Sequence, residues 1–309
     1  MEQVLYKQKA NRYFWRRMLW YILGFVMFFA PFAFFTKAVA FVLGKLANPN
    51  IHNSCFRIPI QNIFTGNFSE IPLLEGVLLF LLVLVAFLFG PFFCGKLCPT
   101  GGFSELVSRF LPRKFQINWP KHVDPVPIRY GFLIGVIVVP LITENMICAF
   151  CGYWFFEVMV GSGLGIWGEL MPLYSSLILT GFFWLIIFGV FTKGGRGYCN
   201  FLCPVGPLQN FFYFLGRRFK WTYKLKLNAT KCNNCGICAD ECPMSALEEN
   251  SQGAAVQYNM HHCLTCLQCV NSCPQEALSY GRGEHGFVSH DTKKEYDNLA
   301  EPVLNTKSS

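Results

Sequence analysis

Eight cysteines between Cys232 and Pro274 constrain this chain more than any other feature, because they repeat one spacing twice. The first copy is Cys232, Cys235, Cys238 and Cys242 followed by Pro243; the second is Cys263, Cys266, Cys269 and Cys273 followed by Pro274. In a C-x2-C-x2-C-x3-C-P run, three close thiolates grip one [4Fe-4S] cube and the fourth reaches a partner cube. The spacing therefore predicts two cubes with crossed ligands. One takes Cys232, Cys235, Cys238 and Cys273, the other Cys263, Cys266, Cys269 and Cys242. Structural zinc is the rival, since His261 and His262 precede Cys263. A zinc knuckle, however, has no use for a third close thiol or for the proline after the fourth. The chemistry expected is one-electron transfer.

The rest of the chain is apolar. Of 309 residues 33 are Phe, 53% are hydrophobic and only 14% are charged, which is unlike an ordinary soluble globule. Hydropathy predicts four membrane spans, near Met18–Thr36, Leu73–Phe93, Arg129–Ile147 and Leu173–Phe191, each long enough to cross a bilayer. Basic residues set the expected orientation. Five lie in residues 1–17, six from Cys94 to Arg129 and eight from Lys193 to Lys231, against three in the first opposite loop and none from Glu144 to Pro172. Both termini and the cluster segment are thus expected in the cytoplasm, with the protein in the inner membrane. This distribution accounts for the net charge of +8 without nucleic acid as a partner.

An internal repeat organises the apolar part. Cys94-Gly-Lys-Leu-Cys98-Pro99-Thr-Gly101 recurs as Cys199-Asn-Phe-Leu-Cys203-Pro204-Val-Gly206, offset by 105 residues. Each unit is expected to hold two spans, C-x3-C-P-x-G and a basic amphipathic segment, so the units run parallel about an axis along the membrane normal. One unit has two thiols and cannot complete a four-thiolate site; two units can. Cys94, Cys98, Cys199 and Cys203 are accordingly expected to form one shared site, with a third iron-sulfur cluster as its leading occupant and another metal or reactive dithiols as alternatives. Buried, inert cysteines at a helix-ending turn are the structural alternative.

These motifs, in this order, resemble the NapH and NosR families of membrane-bound ferredoxin proteins, over nearly the whole chain from Met18 to Tyr280. The resemblance implies an electron-transfer subunit of a quinol dehydrogenase in an anaerobic respiratory chain, with membrane quinol and a reductase or other redox partner at its two ends. Relatives of the CcoG/FixG kind imply the alternative, a redox or metal-reducing assembly or regulatory factor. The fold class expected is an α-helical membrane protein of four transmembrane helices in two parallel repeats, with a C-terminal α+β 2[4Fe-4S] ferredoxin domain. The domains expected are a basic N-terminus (1–17), two repeats (18–127 and 128–220), the ferredoxin domain (221–281) and a polar tail (282–309).

Other groups are open. Cys148 and Cys151, with His52 and Cys55 in the first outer loop, are candidates for an outer-face disulfide, a redox or metal site, or unpaired cysteines. Glu75 and Glu144 near outer span ends are candidates to accept protons from quinol, with snorkelling to the headgroups as the plainer role. No histidine falls within an expected span, which argues against a b-type haem. No P-loop or dinucleotide motif occurs.

Overall fold

The computed structural model describes residues 2–29, 32–44, 57–64, 73–143, 151–165, 176–249 and 256–287. Helix α1 (Glu2–Phe28) opens the chain, and the polar residues expected as a separate N-terminal segment form its first turns. The chain reverses through Ala33, in the left-handed region at φ 40°, into α2 (Phe34–Val42). Helices α3 (Arg57–Phe64) and α4 (Leu73–Phe89) follow. Gly90 at φ 70° stops α4, a turn of π type covers Phe93–Leu97, and Pro99 starts α5 (Pro99–Ser108), where its missing N–H costs nothing. The second half holds α6 (Pro125–Thr143), α7 (Gly152–Gly163) and α8 (Ser176–Gly181), which runs into π-type turns over Phe182–Val190. Helices α9 (Gly197–Phe201) and α10 (Val205–Gly216) complete it.

The four-span reading is corrected here. Among the described residues no helix is long and apolar enough to cross a membrane. Hydropathy sums apolar residues along the chain but does not see where the helix breaks. The run expected from Met18 is cut at Phe28, and the second expected span is a helix of 17 residues ended by Gly90, below the roughly 20 a crossing needs. The fourth is six α-helical residues followed by nine in wider turns. The third carries Arg129, which is fully buried in the protein.

Aromatic packing joins the helices. Trp184 and Phe29 are fully buried in a cluster with Phe156 and Tyr198, and the Phe29 and Tyr153 rings stand 4.2 Å apart. The C-terminal domain has two antiparallel strand pairs, β1 (Lys224–Leu227) with β4 (Leu278–Gly281) and β2 (Leu247–Glu248) with β3 (Gln257–Tyr258). Two short helices, α11 (Ile237–Asp240) and α12 (Gln268–Ser272), carry Cys238 and Cys269. Leu225, Leu247, Val256 and Leu278 form its core. The domain is tied to the helices on several sides. Tyr280 Oη donates to the Phe89 carbonyl at 2.7 Å, Gln268 Nε2 to that of Ala10 at 2.9 Å, and Lys193 Nζ pairs with Asp240 at 2.8 Å. Gly194, at φ 77°, lies so close to Pro243 that a Cβ would stand 2.5 Å from its Cα.

Candidate functional site: three sets of four thiols

The two cysteine runs build matching loops. Left-handed residues recur at Asn234 and Thr265, Gly236 and Leu267, and Ser245 and Glu276, all 31 positions apart like the cysteines themselves. For non-glycine residues that conformation costs roughly 1–2 kcal/mol each, so the loops hold a shape the backbone would not choose alone. The shape turns main-chain donors toward sulfur. Ala246, Thr265 and Ala277 N–H groups donate to the Sγ atoms of Cys242, Cys263 and Cys273, each at 3.3 Å.

The runs exchange their fourth cysteines. One cavity is lined by Cys232, Cys235, Cys238 and Cys273, and a second by Cys263, Cys266, Cys269 and Cys242. Neither lining includes His261 or His262. His261 meets the Tyr130 hydroxyl at 2.9 Å instead. Among the described residues no three His, Cys, Asp or Glu side chains are placed to grip a single ion. Each cavity is lined by four thiols, the number of ligands a [4Fe-4S] cluster takes. Burial pushes the Cys238 and Cys263 thiols up to about 12 and Cys242 to about 11. Without a cationic core these sulfurs would stay protonated; a bound iron core holds them as thiolates.

The remaining thiols form a third set. Cys94 sits in the π-type turn, Cys98 just before α5, Cys199 in α9 and Cys203 just before α10. Cys94 is acted on by Cys98, Cys203 and Cys199, so the two halves of the repeat do bring their thiols together. The second cysteine of each pair lies at a helix start, Cys98 as the N-cap of α5 and Cys203 before Pro204, the N-cap of α10, where the amides of Gly101 and Thr100 and those of Gly206 and Val205 favour the thiolate form. Gln209 Nε2 donates to Cys94 Sγ at 3.1 Å, and Arg196 Nη1 approaches Cys199 Sγ at 4.0 Å.

The glycine that ends each motif has a physical reason. A Cβ on Gly101 would strike Arg196, and one on Gly206 would stand 2.5 Å from Arg129 Nη2. These arginines, with Glu105, Gln209 and Asn210, are site residues that the sequence reading missed. Glu105 accepts from Arg17 and, at 3.0 Å, from Arg196 Nε. Asn210, 105 positions on, meets Arg129 Nη2 at 3.4 Å and donates to the Met260 and Cys263 carbonyls at 2.6 and 2.9 Å. The repeat offset applied to Glu105 was the signal that could have found this pair.

The three sets adjoin one another. Cys94 is buried with Met244 and Leu264, and the partly buried Cys199 and Cys242 pack against that group, which sets the third thiol set beside the Cys242 cavity. Cys238, Cys269 and Cys273 share the domain core, which joins the two cavities. Cys235, in the other cavity, is exposed. Of the other candidates, Cys151 precedes α7 and its field reaches Tyr198. Glu75 is half-buried in the first turn of α4 and lines neither cavity. His52, Cys55, Glu144 and Cys148 lie outside the described residues.

Comparison with known proteins agrees with this chemistry. A 4Fe-4S binding domain model matches residues 72–118 and 177–222, one match for each C-x3-C-P unit, and a 4Fe-4S dicluster domain model matches 224–274. The chain is 25% identical to the putative electron transport protein YccM of Escherichia coli, over 59% of this chain and 49% of that one. It is 27% identical to the methylamine utilization ferredoxin-type protein MauN of Paracoccus denitrificans, over 60% and 59%, and 27% identical to the regulatory protein NosR of Pseudomonas aeruginosa, over 52% and 21%. The matched part is about half the length of the curated relatives. No solved structure matches. With thiol-lined sites on one side and these relatives on the other, the chain carries 4Fe-4S ferredoxin-type domains and is similar to iron-sulfur electron-transfer proteins, consistent with the NapH/NosR-type polyferredoxins.

Proposed function

We propose that this protein passes electrons one at a time through three iron-sulfur centres, from the Cys94, Cys98, Cys199 and Cys203 set, through the Cys263, Cys266, Cys269 and Cys242 set, to the Cys232, Cys235, Cys238 and Cys273 set. Bound iron-sulfur clusters supply the one-electron carriers. The chain's residues supply the order of the sites, the amide donors on sulfur and the exclusion of water. The observation that carries the reading is the shared cluster in which Cys94 is buried with Met244 and Leu264 while Cys199 and Cys242 pack against it, which supports transfer between the two sets. Exposed Cys235 marks the end at which a redox partner protein docks.

The electron donor in this reading is a quinol, which on oxidation gives a quinone, two protons and two electrons that leave singly. Apolar side chains turned outward on the helices, such as Phe41 (84% exposed), Val42 (82%) and Ile142 (76%), support contact with an apolar phase and with lipid. The inner membrane surface, with the ferredoxin domain toward the cytoplasm, fits this donor.

Anaerobic purification followed by iron and sulfide analysis tests the centres, with about twelve irons per chain expected for three cubes and about eight for two. Rapid mixing with a soluble quinol tests the donor. Bleaching of the cluster absorbance is the expected result. If quinol leaves the centres oxidised while dithionite reduces them, the quinol dehydrogenase role is wrong and the assembly or regulatory role takes its place.

A further inference from the structure

Two arginines, Arg129 and Arg196, lie inside the protein beside the third thiol set, and a third, Arg17, is joined to Arg196 through Glu105 while its field falls on Cys266. Arg17, Arg129 and Arg196 are 1%, 0% and 1% exposed, and Glu105 is 2% exposed. Glu105 pairs with both Arg17 and Arg196. Arg129 has neutral partners, the His261 carbonyl and the Asn210 amide, and among the described residues no carboxylate pairs with it. A second buried carboxylate, Glu157 on α7, acts with Cys98 on Tyr153, so three guanidiniums face two buried carboxylates and the surplus is +1 (3 − 2).

An uncompensated charge in an apolar interior is expensive. The field of Arg129 falls on Cys203, Cys199 and Cys94, and that of Arg196 on Cys199 and Cys98. Arg129 Nε also lacks an acceptor among the described residues. Charge and hydrogen-bonding capacity both ask for an anion. Four neutral thiols would not answer it. Four thiolates around a [4Fe-4S]²⁺ core carry a net charge of −2, opposite in sign to the surplus.

We propose that Arg129 and Arg196 are a built-in counter-charge for a dianionic iron-sulfur centre on Cys94, Cys98, Cys199 and Cys203, and that Arg129, without a carboxylate partner among the described residues, raises that centre's reduction potential. The inference rests on the reading that these four thiols share one centre. One-electron reduction takes the centre from −2 to −3, and a nearby cation stabilises the more negative state. Arg129 is a positioning and tuning residue here, acting through the thiolates. The glycine at 206 is part of the device, since it makes room for the guanidinium beside the Cys203 turn.

The test compares Arg129→Gln, which keeps hydrogen-bond donors and loses the charge, with Arg129→Lys, which keeps the charge. Iron and sulfide content come first, then anaerobic potentiometric titration of the full chain followed by EPR. In Arg129→Gln one midpoint is expected to fall, by at least a tenfold change in the reduced-to-oxidised ratio at fixed potential, about 59 mV for a one-electron couple. The other midpoints should move less, and Arg129→Lys should stay near wild type. Loss of about four irons in Arg129→Gln but not in Arg129→Lys also supports the counter-charge. Full iron with unchanged midpoints in Arg129→Gln overturns it, as does equal iron loss in both variants. If wild type itself holds only about eight irons, the shared-centre reading fails first, and that outcome is distinguishable from the rest.

Discussion

Replacing Glu105 by Gln keeps the size and shape of the side chain and removes the one carboxylate that, among the described residues, pairs with Arg17 and Arg196. All three side chains are almost fully enclosed, at 3%, 1% and 1% exposure, so water cannot take over the lost charge. The Tyr21 hydroxyl and the Cys94 carbonyl would remain as neutral acceptors for Arg196. Breaking a buried pair by removing one partner costs about 3–5 kcal/mol, because the other charge is left uncompensated. Here two guanidiniums share the carboxylate, which puts the cost at the upper end of that range. Against a total stability of about 5–15 kcal/mol, Glu105→Gln should lower the guanidinium unfolding midpoint of the iron-loaded chain markedly. Far-UV circular dichroism under anaerobic conditions reads it. Arg17→Met combined with Glu105→Leu should lose less than Glu105→Gln alone, since one stranded charge goes together with the carboxylate. A loss below about 1 kcal/mol in Glu105→Gln, the value of an exposed pair, would refute the claim that this network is dry and mutually dependent.

The exchange of ligands between the two runs predicts that Cys242→Ala and Cys263→Ala leave the same residual EPR spectrum, while Cys242→Ala and Cys232→Ala leave different ones. Cys94→Ala and Cys199→Ala should show equal iron loss, because each removes one ligand of a single site; full iron in either variant would restore the inert-cysteine alternative. Gly206→Ala drives a Cβ against Arg129 and should cost about 1–3 kcal/mol by overpacking, with Gly101→Ala behaving alike against Arg196. Removal of iron by a chelator should abolish amide protection at Leu225 and Tyr280, paired across β1 and β4, since buried thiols then protonate around two cavities. Amides of α4 and α10 should keep theirs longer.

The sequence alone determined which cysteines share a spacing. Thiol chemistry needs particular residues at particular spacings, and both C-x2-C-x2-C-x3-C-P runs and the 105-residue repeat are visible without coordinates. It even carried the offset that relates Glu105 to Asn210 and Gly101 to Gly206. Where the helices break was not readable in the same way. The apolar runs around Phe28, Gly90 and Phe182 look continuous to hydropathy, but backbone geometry ends or widens the helix at each, through left-handed turns at Ala33 and Gly90 and π-type turns from Phe182. Only the tertiary structure decided the partners of the arginines. Arg17 meets Glu105 across 88 positions, Arg196 meets it across 91, and Arg129 meets Asn210 across 81. No local pattern encodes such contacts. They follow from which helix ends are packed together, and the charge imbalance beside the third thiol set exists only once that packing has excluded water.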